Sequence, residues 1–141
     1  MRKVIIMRGP SGSGKSTYIQ KHFPDAYVCS ADHFFIKNGE YVFEPAKIGE
    51  AHSMCMSLFI SATVDPNAAP LIVVDNTNIK IWEFFNYYHL SRLLGFELEI
   101  HSLFYSADRE TCKARNQHSV PPQMIDRMFD NYEPTDNEIK A

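Results

Sequence analysis

An α/β fold, a small parallel sheet between two layers of helices, is predicted by three observations. Short apolar runs alternate with segments of helical length along the chain. The first run, Val4-Ile5-Ile6-Met7, is apolar at consecutive positions, as in a strand covered on both faces. It leads into Gly9-Pro10-Ser11-Gly12-Ser13-Gly14-Lys15-Ser16-Thr17, a Gly-rich turn with a plausible helix after it.

Lys3–Met7 is the first strand. Lys15 to about Phe23 is a helix that Pro24 stops. Ala26–Cys29 is a second short strand, ending in Ser30-Ala31-Asp32. His33 to Glu44 reads as an aromatic-rich loop with Asn38-Gly39 as its turn. A helix starts near Pro45, and Ile48, Ala51, Cys55, Leu58/Phe59 and Ala62 recur at helical spacing as a core stripe. Asp65 to Pro70 is a turn cluster. Leu71–Val74 is the third strand and delivers Asp75-Asn76-Thr77-Asn78. Thr77 or Asn78 is expected to cap a helix over 79–94, which Gly95 closes. Phe96–Leu103 is the fourth strand. A polar helix over 108–116, capped by Ser106 or Asp108, is followed by a Pro-containing loop and a last helix over 123–132. The tail from Glu133 is polar and is expected to fray.

The bulk numbers fit one packed domain over residues 1–141, with 45% hydrophobic and 22% charged residues. A net charge of −3 argues against a protein that tracks a long nucleic-acid backbone, and it is compatible with a pocket for one strand end. Cys29, Cys55 and Cys112 show no metal-ligand spacing and suggest reduced structural thiols. The first apolar run stops at Arg8, too short for a signal sequence, and no run reaches membrane-spanning length. A soluble, cytoplasmic protein with no membrane partner is expected.

The spacing G-x-x-x-x-G-K-S is that of a phosphate-binding loop. Its successive N–H groups make an anion nest, and the following helix adds its unpaired N–H groups and the positive end of its dipole. Gly9, Ser11, Gly12, Ser13 and Gly14 would wrap the phosphates of ATP, with Ser16 and Thr17 at the helix start. Lys15 would reach the β- and γ-phosphates, and Ser16 would ligate Mg²⁺. The expected architecture is therefore the three-layer P-loop NTPase fold with a short lid. In such sheets ligands bind beyond the carboxyl ends of the strands, so Gly9, Asp32 and Asp75 should share one crevice.

Asp75 ends an apolar strand, as an acid that holds Mg²⁺ or supports a lid does; it would also suit a turn. Asp32 is the candidate for orienting a hydroxyl and taking its proton. Phe34, Phe35, Tyr41 and Phe43 can stack a nucleobase or fold onto the core. His33 and His52 can line an acceptor pocket or be structural. Arg109, Lys113 and Arg115 supply positive charge for a lid, Arg109 and Lys113 sharing one helix face.

These motifs, in order, carry a resemblance. Gly9 to Thr17, Ser30 to Phe35, Gly39 to Pro45, Glu50-Ala51-His52, Ile72 to Asn78 and Ala114 to Pro121 are similar to the P-loop kinases related to bacteriophage polynucleotide 5′-hydroxyl kinase. That group includes the small ATP-binding domain of animal ubiquitin-ligase-binding proteins. The resemblance spans about Lys3 to Pro134. It implies ATP as donor, Mg²⁺, transfer to the 5′-hydroxyl of a nucleic acid, Asp32 as general base and Arg115 as a lid arginine touching ATP. Two departures bear on the acceptor. The phage enzymes carry Arg-Asp-Asp-Tyr-Arg where this chain has Ala31-Asp32-His33-Phe34-Phe35, so the arginine that grips the acceptor phosphate is missing. A further lid arginine is replaced in the region of Gln117 and His118. The expectation is an ATP-dependent kinase acting on a DNA or RNA 5′ end. Alternatives are a kinase for a small hydroxyl compound and an ATP-binding interaction module.

Overall fold

Consecutive apolar residues in a strand can be buried only if both faces of the sheet are covered. A computed structural model describes residues 2–65, 67–115 and 120–141 and has that arrangement. Five strands, β1 (Lys3–Arg8), β2 (Tyr27–Cys29), β5 (Leu71–Asp75), β6 (Glu97–Ser102) and β7 (Ile139–Lys140), form one parallel sheet in the order β2-β5-β1-β6-β7. β1 is central, in register with β5 from Lys3 opposite Leu71 to Met7 opposite Asp75.

Side chains alternate along the strands, and this alternation divides the core in two. Val4, Ile6, Ile72 and Val74 face α2 (Ile48–Val64) and α3 (Ile81–Leu93), packing on Cys55, Phe59, Phe84 and Tyr87. Ile5, Met7 and Val73 face the other way, onto Ile19 of α1 (Lys15–His22) and Leu103. On that face Tyr18 bonds His101 (2.7 Å), which bonds Glu99 (2.9 Å), tying α1 to β6. The expected α2 stripe is buried at Ala51, Cys55, Phe59 and Ala62, while Ile48 is exposed.

Several expectations are corrected. The stretch after β2 is not a plain loop. It forms a 3₁₀ turn (Ala31–Phe35) and a hairpin of β3 (Ile36–Lys37) and β4 (Glu40–Tyr41). Asn38 and Gly39 take φ of 52° and 80°, the left-handed pair that a two-residue hairpin loop requires. α3 begins at Ile81, and neither Thr77 nor Asn78 caps it. The Glu83 carboxylate accepts the Lys80 N–H (2.9 Å), and the Lys80 carbonyl accepts the Glu83 N–H. Of the two candidates for the start of α4 (Arg109–Ala114), Asp108 is the cap, accepting the Thr111 N–H at 2.9 Å.

The tail after α5 (Pro122–Asn131) does not fray. β7 adds a strand beside β6, and Glu138 is anchored to the Arg8 guanidinium, the Tyr132 hydroxyl and the Thr135 N–H. Glu133 accepts the Ile81 N–H at 2.9 Å. Polar composition misled here because Glu138 has buried partners and Glu133 has a helix-end one. Among the described residues, no helix is long and apolar enough to cross a membrane.

Candidate active site

The Gly-rich turn leaves β1 at the carboxyl edge of the sheet. Gly9 donates to the Thr77 carbonyl (3.1 Å), and Ser13 donates to the Pro10 carbonyl (3.1 Å). Gly14, at φ 91°, precedes α1, whose first turn has neither a side-chain cap nor an acidic residue. Its N–H groups are therefore left for an external anion. A Cβ on Gly9 would lie 2.8 Å from Ser13 Oγ and 3.0 Å from Lys15 Cγ, so the lysine stem folds back across the loop. The Ser13 hydroxyl is buried and has no hydrogen-bond partner among the described residues. Uncapped N–H groups, an unpaired hydroxyl and Lys15 together fit a polyphosphate.

The segment Asp75-Asn76-Thr77-Asn78 laces three parts of the site together. Asn76 Oδ1 accepts the Ala31 N–H (3.0 Å), and its amide donates to Cys55 Sγ (3.6 Å). Asn78, with φ 48°, donates to the Met7 carbonyl (2.8 Å) and receives Arg8 Nε on its own carbonyl (2.7 Å). Asn tolerates that left-handed backbone better than bulkier residues. The end of β5 thus fixes both the approach to the phosphate loop and the turn that carries Asp32. Ser30 caps that turn through the Asp32 N–H (3.2 Å), and the Tyr41 hydroxyl donates to Asp32 Oδ1 (3.2 Å).

Asp75, Asp32, Lys15 and His33 meet electrostatically. Burial pushes the Asp75 carboxyl above its ordinary value, the Asp32 charge adds to that, and Lys15 and His33 oppose it. Asp75 Oδ1 has no hydrogen-bond partner among the described residues. With the exposed Ser16 hydroxyl it forms the kind of sparse oxygen set that Mg²⁺ takes when substrate phosphate and water complete its shell. Among the described residues no cluster of three or more His, Cys, Asp or Glu could hold a metal alone. A cavity of about 270 Å³ opens beside this set, with Ser16, His33 and Asp75 at its polar end and Ile19, Phe23 and Val28 along its wall.

A family model for the AAA domain (AAA_33) matches residues 4–135. The chain belongs to this AAA-domain family. Over 139 residues it is 31% identical to NEDD4-binding protein 2 of Homo sapiens, an alignment that covers 92% of this chain and 8% of that protein. The chain therefore spans a small fraction of the length of that relative. The fold is similar to a chain of the Pnkp1/Rnl/Hen1 RNA repair complex, with TM-score 0.68, 16% identity, and coverage of 92% of this chain and 43% of that one. It is also similar to the APS kinase CysC of Mycobacterium tuberculosis, solved with AMPPNP and APS, with TM-score 0.63, 16% identity, and coverage of 97% and 85%. Both likenesses are of fold. Phosphate loop, family and fold together make this a P-loop kinase-like domain.

Within this AAA domain the basic residues expected at the lid separate into two groups. Arg109 pairs with Asp126 and Asp130, and Lys113 with Asp126 and Glu110, so both hold α4 to α5 and neither is a spare charge for phosphate. Arg115 follows α4, is exposed, and has no ion pair among the described residues. Gln117 and His118 lie outside the described residues. α4 presses on the phosphate loop itself: a Cβ on Gly12 would sit 2.3 Å from the Cys112 carbonyl oxygen.

The aromatic stretch is divided too. Phe35, at the position of the missing acceptor arginine, is 3% exposed and belongs to the core. Phe43 is 45% exposed. His33 lines the cavity, while His52 lies exposed on α2. Sequence reasoning missed Tyr41 as a partner of Asp32 and Asn76 as the anchor of its turn. An Asn at a strand end followed by a second Asn is a signal for such lacing, but it reads equally well as a turn.

Proposed function

We propose that this domain transfers the γ-phosphate of ATP to a hydroxyl, with the 5′-hydroxyl of a DNA or RNA end as the acceptor. One observation carries the reading: a carboxylate, Asp32, is fixed by Tyr41 and by its own turn beside the Lys15 and Asp75 charges at the phosphate loop. A P-loop that only bound nucleotide would not need a second oriented carboxylate there.

In this scheme the N–H groups of Gly12 and Gly14, the unpaired Ser13 hydroxyl and the Lys15 ammonium hold the β- and γ-phosphates. Gly9, Ser11 and Thr17 shape the two ends of that cradle. Ser16 and Asp75 would hold Mg²⁺, which when bound would supply positive charge to neutralise the phosphates. Asp32 accepts a hydrogen bond from the acceptor hydroxyl and takes its proton as the new O–P bond forms. The bond from the γ-phosphorus to the bridging oxygen breaks, and ADP leaves. Arg115 closes over ATP and stabilises the moving charge.

The direct test uses labelled ATP with a panel of 5′-hydroxyl oligonucleotides, nucleosides and sugars. Transfer to oligonucleotide ends, abolished in Asp32→Ala with ATP binding intact, supports the reading. Near-normal transfer by Asp32→Ala removes Asp32 from the mechanism. The cavity beside His33 and Asp75 favours one second reading, a small-molecule hydroxyl as acceptor, and label appearing only on nucleosides or sugars would establish it.

A further inference from the structure

The hairpin that supplies Tyr41 has a surface that no step above uses. The Tyr41 and Phe43 rings are parallel within 3°, with centroids 6.4 Å apart. Both rings meet the same Phe35 ring, which places them on one side of the segment. The buried Phe35 ring supports them from below, edge-on to Tyr41 at 6.1 Å and to Phe43 at 5.1 Å. The Val42 N–H bonds the Phe35 carbonyl at 2.8 Å and locks the strand over it. Phe43 thus has one edge on the core and much of its ring open to water. Burial and the Asp32 charge push the Tyr41 hydroxyl above its ordinary value, so it stays a donor to that carboxylate.

We propose that Phe43, just past the β3–β4 hairpin, is the platform on which the acceptor's terminal nucleobase stacks, while the Tyr41 hydroxyl positions Asp32 for the attached 5′-hydroxyl. This rests on the reading of Asp32 as the base in transfer to a 5′ end. The chemistry selects the ligand class. A nucleoside end carries a flat ring joined through a short rigid sugar to a primary hydroxyl. The platform and the carboxylate are likewise one unit, joined by the Tyr41–Asp32 bond of 3.2 Å. A sugar or polyol would leave the Phe43 ring uncovered. Stacking on π-faces is tolerant of base identity, so any terminal base would serve. Phe35 fills the core where the related enzymes grip a phosphate, so recognition moves from the acceptor's phosphate to its base.

The test compares two oligonucleotides that differ only at the 5′-terminal residue, thymidine or an abasic tetrahydrofuran bearing the same hydroxyl. Wild type, Phe43→Ala, Phe43→Trp and Tyr41→Phe are assayed for kcat, for acceptor KM and for ATP affinity. Wild type is expected to prefer the base-bearing end by roughly tenfold, as loss of one stacked base implies. Phe43→Ala should erase that preference through KM, Phe43→Trp should keep it, and ATP affinity should not move. Tyr41→Phe retains the ring and should lower kcat by about tenfold on both ends with little change in KM. Equal use of the two ends by wild type, or a loss in Phe43→Ala that is the same for both, overturns the platform. If wild type transfers phosphate to neither end, the 5′-hydroxyl reading fails. The platform is then judged by anisotropy binding of the two oligonucleotides in the presence of AMPPNP: base-selective binding lost in Phe43→Ala upholds it, and unselective or absent binding removes it.

Discussion

The Arg8 guanidinium and the Glu138 carboxylate stand 3.4 Å apart across 130 residues of sequence, with side chains 0% and 1% exposed. The guanidinium is also sandwiched between the Phe84 and Tyr132 rings, at 4.6 and 4.5 Å. Removing one partner of such a pair leaves a charge buried without compensation. Glu138→Ala is expected to lower the free energy of unfolding by roughly 3–5 kcal/mol, with Glu138→Gln costing less because it keeps acceptors in place. Urea unfolding at neutral pH measures both.

Asp75 gives a pH-dependent prediction. Its carboxyl is raised above the ordinary 3.8 chiefly by burial, so the folded chain binds this proton more tightly than the unfolded one. A raised folded value stabilises below the unfolded value, and that contribution is lost as pH rises through the raised value. At pH 7.5 the charged form is therefore a liability. Asp75→Asn should raise the melting temperature there, by an amount on the order of 1 kcal/mol in stability, and the difference should shrink below pH 4. The same variant should lose phosphate transfer.

Two glycines should respond in opposite directions to alanine. Gly12 combines φ 79° with a carbonyl oxygen 2.3 Å from any added Cβ, so Gly12→Ala must displace α4 or the phosphate loop. An ATP titration should show at least about tenfold weaker binding, since misplacing an N–H cradle costs its charge-assisted bonds. Gly49, early in α2, has open space around it, and Gly49→Ala should stabilise the fold by roughly 0.5–1 kcal/mol.

The basic residues near α4 should not be equivalent. Arg115→Ala is expected to lower kcat/KM for ATP by about 100-fold, the order seen when one stabilising donor is removed from a transition state. Arg109 is spent on two carboxylates of α5, and Arg109→Ala should change turnover less than about threefold while lowering the melting temperature only slightly, since the pairs are exposed and solvent-screened. Equal losses in the two variants would remove Arg115 from a special role.

What was legible in the sequence was what local rules determine. The apolar runs of β1 and β5, the Gly-rich turn, Pro24 as a stop and Asn38-Gly39 as a turn all act within a few residues. Strand alternation with helices then placed Gly9, Asp32 and Asp75 on one edge. The misreadings came from partners distant in sequence. Glu138 looked like part of a solvated tail because Arg8 lies at the other end of the chain. Asn78 looked like a helix cap because its true acceptor, the Met7 carbonyl, belongs to another strand. Tyr41 looked like one of four similar aromatics until the hairpin turned its hydroxyl toward Asp32, and Phe35 was indistinguishable from Phe43 until one was buried and the other was not.

The parallel course of β7 also sets where residues 2 and 141 lie. Residue 3 begins β1 at the amino edge of the sheet, whereas Ala141 donates to the Ser102 carbonyl at the carboxyl edge, the same edge as the phosphate loop. A fluorophore or affinity tag attached after residue 141 would sit at the same end of the sheet as the phosphate loop, on the β6–β7 side of it. The same group placed before residue 2 would lie a full strand length away, on the face remote from the chemistry.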